Sequence, residues 1–326
     1  MRVKYSWALV LLLSGCQLTQ SENPDQASEQ TNTSPTKEVS QTNVSSEATK
    51  EESKVEAPIV TPQTQEDVWK RIAMQLEMEV PDEKKVDYYR TWYLKHPSHL
   101  KTVSQRAEPF LYLITTKIEE KGLPLELALL PVVESSFDAF AYSHGSAAGL
   151  WQFISGTGKD YGLEQNFWYD GRRDVAASTD AALDFLSDLN RRFDGDWNHA
   201  IAAYNSGGGR VNSAIRKNKK LGKPIDFFSL DLPKETSSYV PKLLALADVI
   251  ANQEKYGIDI PAIPNKPVLT LVNPDEQLDL AIAASYAGIP VKELQGYNPA
   301  YNQWATAPEK HQQLLLPLSS VEKFNK

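Results

Sequence analysis

Apolar positions recur at intervals of three and four from Gln65 to about residue 257, and then the rhythm changes. Trp69, Ile72, Ala73, Leu76 and Val80 share one helical face as far as Pro81, and Val86, Tyr89 and Tyr93 share another before Pro97. From Ser98 the spacing predicts one long helix through Leu100, Val103, Ala107, Phe110, Ile114 and Ile118, stopped by Gly122 with Pro124 beyond. Pro124 then opens a short helix that carries Glu134. Residues 139–171 are rich in Gly and Ser and read as loops. Helical spacing resumes with Ala182, Leu183, Leu186, Leu189 and Phe193, again with Trp197, Ile201 and Tyr204, then with Val211 and Ile215 after the Gly cluster at 207–209. Val240, Leu243, Leu244, Ala247 and Ile250 mark the last strong helix of this stretch, which stops near Gly257. A helical flank over 65–119 and a helical core over 120–260 make the expected fold mainly α.

After the Pro-spaced string IPAIPNKP, the stretch at 268–272 alternates as a strand, QLDLAIAASYAG and PVKELQGYN read as two helices, and 312–318 reads as a second strand. Residues 261–326 are therefore expected to form a small α+β module of order βααβ. That order resembles a LysM peptidoglycan-binding repeat. NPDEQLDLA stands where such repeats usually have a Gly-Asp-Thr turn, so a sugar-binding module and a structural cap on the helical part both remain open.

Residues 1–16 follow another pattern. Arg2 and Lys4 precede an apolar run from Tyr5 to Leu13, followed by small residues, which is the layout of an export signal. The run falls well short of the roughly 20 residues that a membrane-spanning helix needs. LSGC at 13–16 resembles the lipobox of bacterial lipoproteins, in which the Cys becomes the lipid-bearing first residue; Cys16 is the chain's single cysteine. Gln17 follows it, where an Asp would resemble an inner-membrane retention signal, so the resemblance implies anchoring to the periplasmic face of the outer membrane. Residues 17–64 are polar and acidic with almost no large apolar side chains, and cannot bury enough surface to fold. As a flexible coil they would span about 35 to 42 Å and act as a tether.

The formal charge of −8 is spread without a basic stripe or block, which argues against nucleic acid as a partner. The five histidines form no HExxH arrangement and there is no second cysteine, so neither a metal site nor any other cofactor is expected. GTGKD and SGGGR lack the GxxxxGK followed by Ser or Thr of a phosphate loop and are read as turns, and no GxSxG elbow is present.

Glu134 is the anomaly. It follows the apolar run Leu129, Leu130, Pro131, Val132 and Val133, with Phe137 just beyond, at the C-terminal end of its helix. Burial and the negative end of the helix dipole would both raise its pKa. A carboxylic acid that stays protonated near neutral pH suits a general acid for a glycosidic oxygen. A buried Glu paired with an Arg or with a backbone group would look the same in isolation.

The neighbouring strings narrow the choice. ESSF at 134–137, SHGSAAGLWQF at 143–153, AYNSG at 203–207 and ETSSYV at 235–240 resemble, in order, the four signature blocks of the lytic murein transglycosylase family, nearest to its membrane-bound D type. The resemblance implies a goose-type lysozyme-like helical fold around a sugar cleft, with glycan strands of peptidoglycan as substrate. It implies Glu134 as catalytic acid and base, and Ser143, Gln152, Asn205 and Tyr239 as substrate-contacting residues. Tyr204 either lines the cleft or packs beneath it, Gly149 and Leu150 set shape, and Trp151 occupies a position that is Met in other branches.

Such a set fits a substrate rich in hydroxyl and acetamido groups better than charges would. If the acetamido oxygen of the muramic residue stabilises the cation-like centre, one carboxyl suffices, and the product is a 1,6-anhydro sugar. Two other readings stay open at this level. One is a lysozyme-type hydrolase in which Asp138, Asp160 or Asp170 activates water; the other is a non-catalytic lipoprotein that only binds the cell wall.

Overall fold

The computed structural model describes residues 60–326, all within one unit, Ala57–Lys326. The expected leader, Cys16 and most of the expected tether lie outside the described residues. The first described element, a 3-10 turn at Pro62–Thr64, falls at the end of the expected tether and is held by Asn265, whose side-chain amide donates to the Pro62 and Gln65 carbonyls.

Ten α-helices follow before the chain reaches its last α-helical turn ahead of the C-terminal module. They are α1 (Val68–Ala73), α2 (Lys84–Lys95), α3 (Pro97–Ala107), α4 (Leu111–Glu120), α5 (Leu130–Ser135), α6 (Ser155–Asp160), α7 (Val175–Arg192), α8 (Trp197–Ser206), α9 (Gly208–Lys220) and α10 (Thr236–Ala251). α11 (Gln253–Tyr256) is that turn, and the module itself runs β1 (Leu269–Val272), α12 (Leu280–Ala287), α13 (Val291–Tyr297), β2 (Leu314–Pro317) and α14 (Val321–Phe324). The described part is mainly α, with one small antiparallel sheet.

Four local expectations are corrected. The helix expected up to Pro81 ends at Ala73, because the buried Glu126 carboxylate accepts the Glu77 and Met78 backbone N–H groups at 2.8 Å each and draws the chain out of helical register. The single helix expected from Ser98 to Gly122 is two, α3 and α4, since Pro109 between them supplies no N–H to continue the helical ladder. The stretch from Pro124 begins as a 3-10 helix, Leu125–Leu129, and becomes α-helical only at Leu130. GTGKD and SGGGR are not turns: the first lies in α6 and the second opens α9.

α10 is the centre of the main core, packing on α1, α2, α5 and α8 with Val240, Leu243, Leu244, Leu246 and Val249 fully or almost fully buried. It contains Pro241, which cannot donate to the Ser237 carbonyl one turn earlier. Lys85 of α2 fills that gap, its ammonium donating to the Ser237 carbonyl at 3.1 Å and to the Ser237 hydroxyl at 2.9 Å. The break is thereby turned into a link between the two helices.

The C-terminal module has a small core of its own, made by Leu280, Ala283, Ala284, Leu294, Leu314 and Leu316. Leu315, between the last two, belongs to the main core instead. The alternation of β2 thus places one side chain in the large core and its neighbours in the small one, which explains why LLL is apolar at every position. Further along, the Asp170 N–H donates to the Ala300 carbonyl at 2.9 Å, the Asn302 N–H donates to the Trp168 carbonyl at 2.8 Å, and the Tyr169 ring stacks on His311 at 4.1 Å. Module and helical part share a continuous seam.

Candidate active site

Glu134 occupies the last turn of α5, behind a fully buried run from Leu125 to Val132. The turn ends in two consecutive left-handed residues, Ser136 (φ 51°) and Phe137 (φ 59°), a conformation that non-glycine side chains adopt at a cost. It is held there by the Phe137 N–H donating to the Pro131 carbonyl at 3.0 Å and by burial of the Phe137 ring. The Ser135 hydroxyl lies 3.0 Å from both the Pro131 and the Leu150 carbonyls, tying the helix end to the loop that carries the second block. Ser135 was not singled out in the sequence, although it is the second letter of ESSF, directly after Glu134.

The Glu134 residue is half-buried, enclosed by protein on nearly every side while keeping an edge toward solvent. Burial pushes its carboxyl up to about 7. The Tyr239 hydroxyl, donating to Oε1, opposes the rise, the negative charge of Glu235 adds to it, and Lys242 works against it. Tyr239 and Glu235 sit one turn apart at the start of α10, so a single helix supplies both the phenol that steadies the ionised form and the carboxylate that disfavours it. Glu235 is the charged neighbour that sequence reasoning missed, although it is the first letter of ETSSYV, four positions before Tyr239.

Around this pair the other expected residues fall into two groups. Ser143 is in a tight loop in which its hydroxyl oxygen accepts from the Ala147 N–H at 3.0 Å, leaving the hydroxyl proton to point elsewhere. Gln152 is left-handed (φ 49°) and its amide NH₂ donates to the Gly149 carbonyl at 2.8 Å and the Ala141 carbonyl at 3.3 Å, so its carbonyl oxygen is the end available to a ligand. Asn205 bridges α8 to the start of α10: its NH₂ donates to Glu235 at 3.3 Å and its carbonyl accepts from the Thr236 hydroxyl at 2.9 Å.

Tyr204 is a packing residue that also borders the site. Its hydroxyl donates to the Trp151 carbonyl at 2.7 Å, its ring meets Phe153 and Phe185, and burial together with the Glu134 charge holds its phenol well above the usual range. Trp151 is fully buried with its indole N–H on the Thr179 hydroxyl at 3.0 Å, so it shapes the loop from below and presents no surface to a ligand. Gly149 (φ 77°) is required: a Cβ there would lie 2.1 Å from the Arg172 carbonyl oxygen.

None of the three aspartates weighed as a second acid is among the hydrogen-bonding or charged partners of Glu134. Asp138 caps its own turn through the Phe140 N–H and faces Arg106 at 3.8 Å; Asp170 is locked to the Arg172 guanidinium at 2.7 and 2.9 Å; Asp160 is exposed at the end of α6. A cavity of about 920 Å³ lies between α1 and the chain around α11 and includes none of these site residues.

Two stretches of the chain match known domain families. Residues 113–227 match the transglycosylase SLT domain, and residues 268–326 match the LysM-like domain described for lytic transglycosylase MltD. The chain therefore carries a transglycosylase SLT domain followed by an MltD-type LysM-like domain. It is 43% identical over 266 residues to membrane-bound lytic murein transglycosylase D of Escherichia coli (strain K12), which covers 78% of this chain and 59% of that one, and it is equally similar to the same protein of Escherichia coli O6:H1. The chain thus spans about three fifths of the length of these relatives. A protein of Alteromonas sp. (strain M-1) named for tributyltin chloride resistance is 44% identical over 172 residues, 53% of this chain and 81% of that one. A solved lytic transglycosylase Slt from Pseudomonas aeruginosa, an inactive mutant, aligns at 18% identity and a TM-score of 0.38 over 59% of this chain and 33% of that one.

Proposed function

We propose that this chain is a peptidoglycan lytic transglycosylase that cleaves the β-1,4 bond between N-acetylmuramic acid and N-acetylglucosamine and leaves 1,6-anhydromuramic ends. The observation that carries the reading is a carboxyl pushed to about 7 by burial, with a phenol hydrogen-bonded to it and none of Asp138, Asp160 and Asp170 among its partners. Near neutral pH about half of Glu134 is protonated, and this form donates to the bridging oxygen as that bond breaks. The acetamido oxygen of the muramic residue stabilises the electron-poor C1. Glu134, now a carboxylate accepting from Tyr239, takes the proton of the C6 hydroxyl, and that oxygen closes onto C1. The enzyme returns to its starting protonation state and no water is consumed.

Ser143 and Gln152 on the second block, with Asn205 and Tyr239 from α8 and α10, are the polar groups assigned to the sugar. Tyr204 supports the loop they stand on. Upstream of residue 60 the reading includes lipidation of Cys16, a tether over 17–64, and residence at the periplasmic face of the outer membrane. In its support, the Escherichia coli relatives are named as membrane-bound, while no helix among the described residues is long and apolar enough to cross a membrane. Residues 65–260 would then be the catalytic part and 261–326 the LysM-like part.

Digestion of purified cell walls in water enriched in heavy oxygen tests the chemistry. Fragments lighter than hydrolysis products by one water, with no heavy oxygen at the new end, are expected. Reducing ends that carry the heavy isotope would replace this reading with a lysozyme-type hydrolase.

A further inference from the structure

Where the C-terminal module meets the helical part, three aromatic rings face solvent instead of the seam. Phe167 is 66% exposed and Trp304 63%, with the half-exposed Trp168 between them. The Trp168 ring lies 5.4 Å from Phe167 and 5.6 Å from Trp304, each pair edge to face. Phe167 and Trp168 come from the loop before α7 and Trp304 from the loop between α13 and β2, so neither module has the cluster alone.

The rings are exposed, but the backbone beneath them is fixed. Asn166 Oδ1 accepts the Trp168 and Tyr169 N–H groups at 2.8 and 2.9 Å, and its own carbonyl accepts from the Asn302 amide at 3.1 Å. The Gln303 amide donates to the Phe167 carbonyl at 3.1 Å, and the Trp304 carbonyl accepts the Leu280 N–H at 2.8 Å. Exposed aromatic side chains on a rigid, cross-linked frame present ring faces at little ordering cost on binding. They are poorly explained by packing, since the seam is already closed beneath them by Tyr169, Tyr301 and His311.

The charged groups around the cluster are engaged in contacts of their own. Asp170 is paired with Arg172, Glu164 faces His311 at 2.9 Å, and Arg173 donates to the neutral Asn302 side chain. A patch of aromatic faces whose neighbouring charged groups are engaged elsewhere suits a neutral ligand carrying C–H faces, as a hexopyranose does, better than a polyanion or an anionic lipid surface, for which it has no basic cluster. The patch also communicates with the proposed cleft. Arg172, paired with Asp170 two residues from Trp168, donates to the Ser146 and Phe153 carbonyls of the second block at 2.7 and 3.3 Å and lies 5.9 Å over the exposed Tyr142 ring.

We propose that Phe167, Trp168 and Trp304 form a composite platform on which a stretch of the glycan strand, away from the bond being cut, stacks its sugar rings, and that the LysM-like module contributes to glycan binding by completing this platform. The proposal rests on the glycan substrate argued above. It makes the module both a cap and a binding element, without need of the missing Gly-Asp-Thr turn.

The test uses the full chain in a Glu134→Gln background, so that binding is read without turnover. Binding to purified peptidoglycan sacculi is measured by co-sedimentation, and tryptophan fluorescence is followed on titration with soluble β-1,4 N-acetylglucosamine oligomers. Phe167→Ala together with Trp304→Ala is expected to weaken sacculus binding by about five-fold or more, with Trp304→Phe restoring most of it. Tyr88→Ala, which removes an exposed ring on α2, is expected to bind like the parent. If the double variant binds as the parent does, or if Tyr88→Ala loses as much, the platform is wrong. Loss by the double variant of vesicle association or of a dimer in sedimentation, with sacculus binding intact, would overturn it in favour of a lipid surface or a second copy. Failure of the parent itself to bind sacculi would count against the glycan substrate, a result distinguishable from all of these.

Discussion

At the end of α5 a carboxyl stands among apolar side chains with one phenol on it, and its proton is held to about pH 7. At the seam the carboxyl of Glu164 lies on the surface against His311 and Asn166, and those partners hold it below the usual carboxylate range. The residue type is the same and the direction of the shift is opposite. What separates them is water: removed from it, a carboxyl becomes an acid able to protonate an ether oxygen, while a carboxyl left in it is a screened charge of little energetic weight. In the proposed mechanism the site works by withdrawing one group from solvent. The seam works by holding ring faces in solvent.

The most severe way to break the site is Glu134→Gln, which keeps shape and removes the proton. Turnover of cell walls is expected to fall by about two to four orders of magnitude, whereas Glu164→Gln at the seam should leave the thermal midpoint unchanged. Lysis near the parent rate by the Glu134 variant would mean that another group carries the acid role.

Backbone comes next. Gly149 and Gly162 have nearly the same dihedral, φ 77° and 78°, yet a Cβ at the first would strike the Arg172 carbonyl while a Cβ at the second meets nothing within 4 Å. Gly162→Ala should therefore show only the left-handed penalty, about 1–2 kcal/mol, and Gly149→Ala clearly more, because the second-block loop must also move off Arg172. Urea unfolding of the two variants measures the difference, and equal losses would mean that Arg172 does not set the loop's position.

The opposite sign is expected from Glu134 itself. Its folded pKa is raised, so between about 4.5 and 7 the folded protein binds more protons than the unfolded chain, and stability falls as pH climbs through that window. Glu134→Gln should escape this loss, being more stable than the parent at pH 8 by on the order of 2–3 kcal/mol and little different at pH 4. Thermal midpoints at the two pH values check it; an equal change at both would trace the effect to packing rather than to the proton.

The comparison also separates what the chain discloses from what it conceals. Glu134 could be singled out because a carboxylate within LLPVV is anomalous in one short window, and the helices around it because their apolar spacing is local. Glu126 shows the limit: it stands in the same window, but its partners are the Glu77 and Met78 backbone N–H groups, and only the folded chain brings them near, which is why the end of α1 was misplaced. The break at Pro109 was readable in principle and was outweighed by an uninterrupted apolar spacing on either side. GTGKD was read as a turn once its phosphate-loop pattern failed, whereas it lies in α6, where Arg172 packs 3.1 Å from the position a Gly158 Cβ would take. The platform was illegible, since Phe167 and Trp304 look like isolated surface aromatics until the seam joins them. Ser143, Gln152 and Asn205 were found through the order of the blocks; their hydrogen bonds reveal which atoms remain for a ligand.

The smallest effects discriminate most finely, because they set two neighbours of one proton against each other. The Tyr239 hydroxyl donates to the ionised form of Glu134 and lowers its pKa; the Glu235 charge opposes ionisation and raises it, by less. Tyr239→Phe removes the donor, so the alkaline limb of the pH–rate profile should move to higher pH. Glu235→Gln removes the charge while keeping an acceptor for Asn205, so the limb should move to lower pH, and by a smaller amount. The readout is the position of the limb, not its height, since either change could also alter the rate through geometry. Were Glu235 only a helix-terminal residue that orients Asn205, its Gln variant would change the rate and leave the limb where it is; a shift in the direction opposite to that of Tyr239→Phe requires that both act on the proton of Glu134.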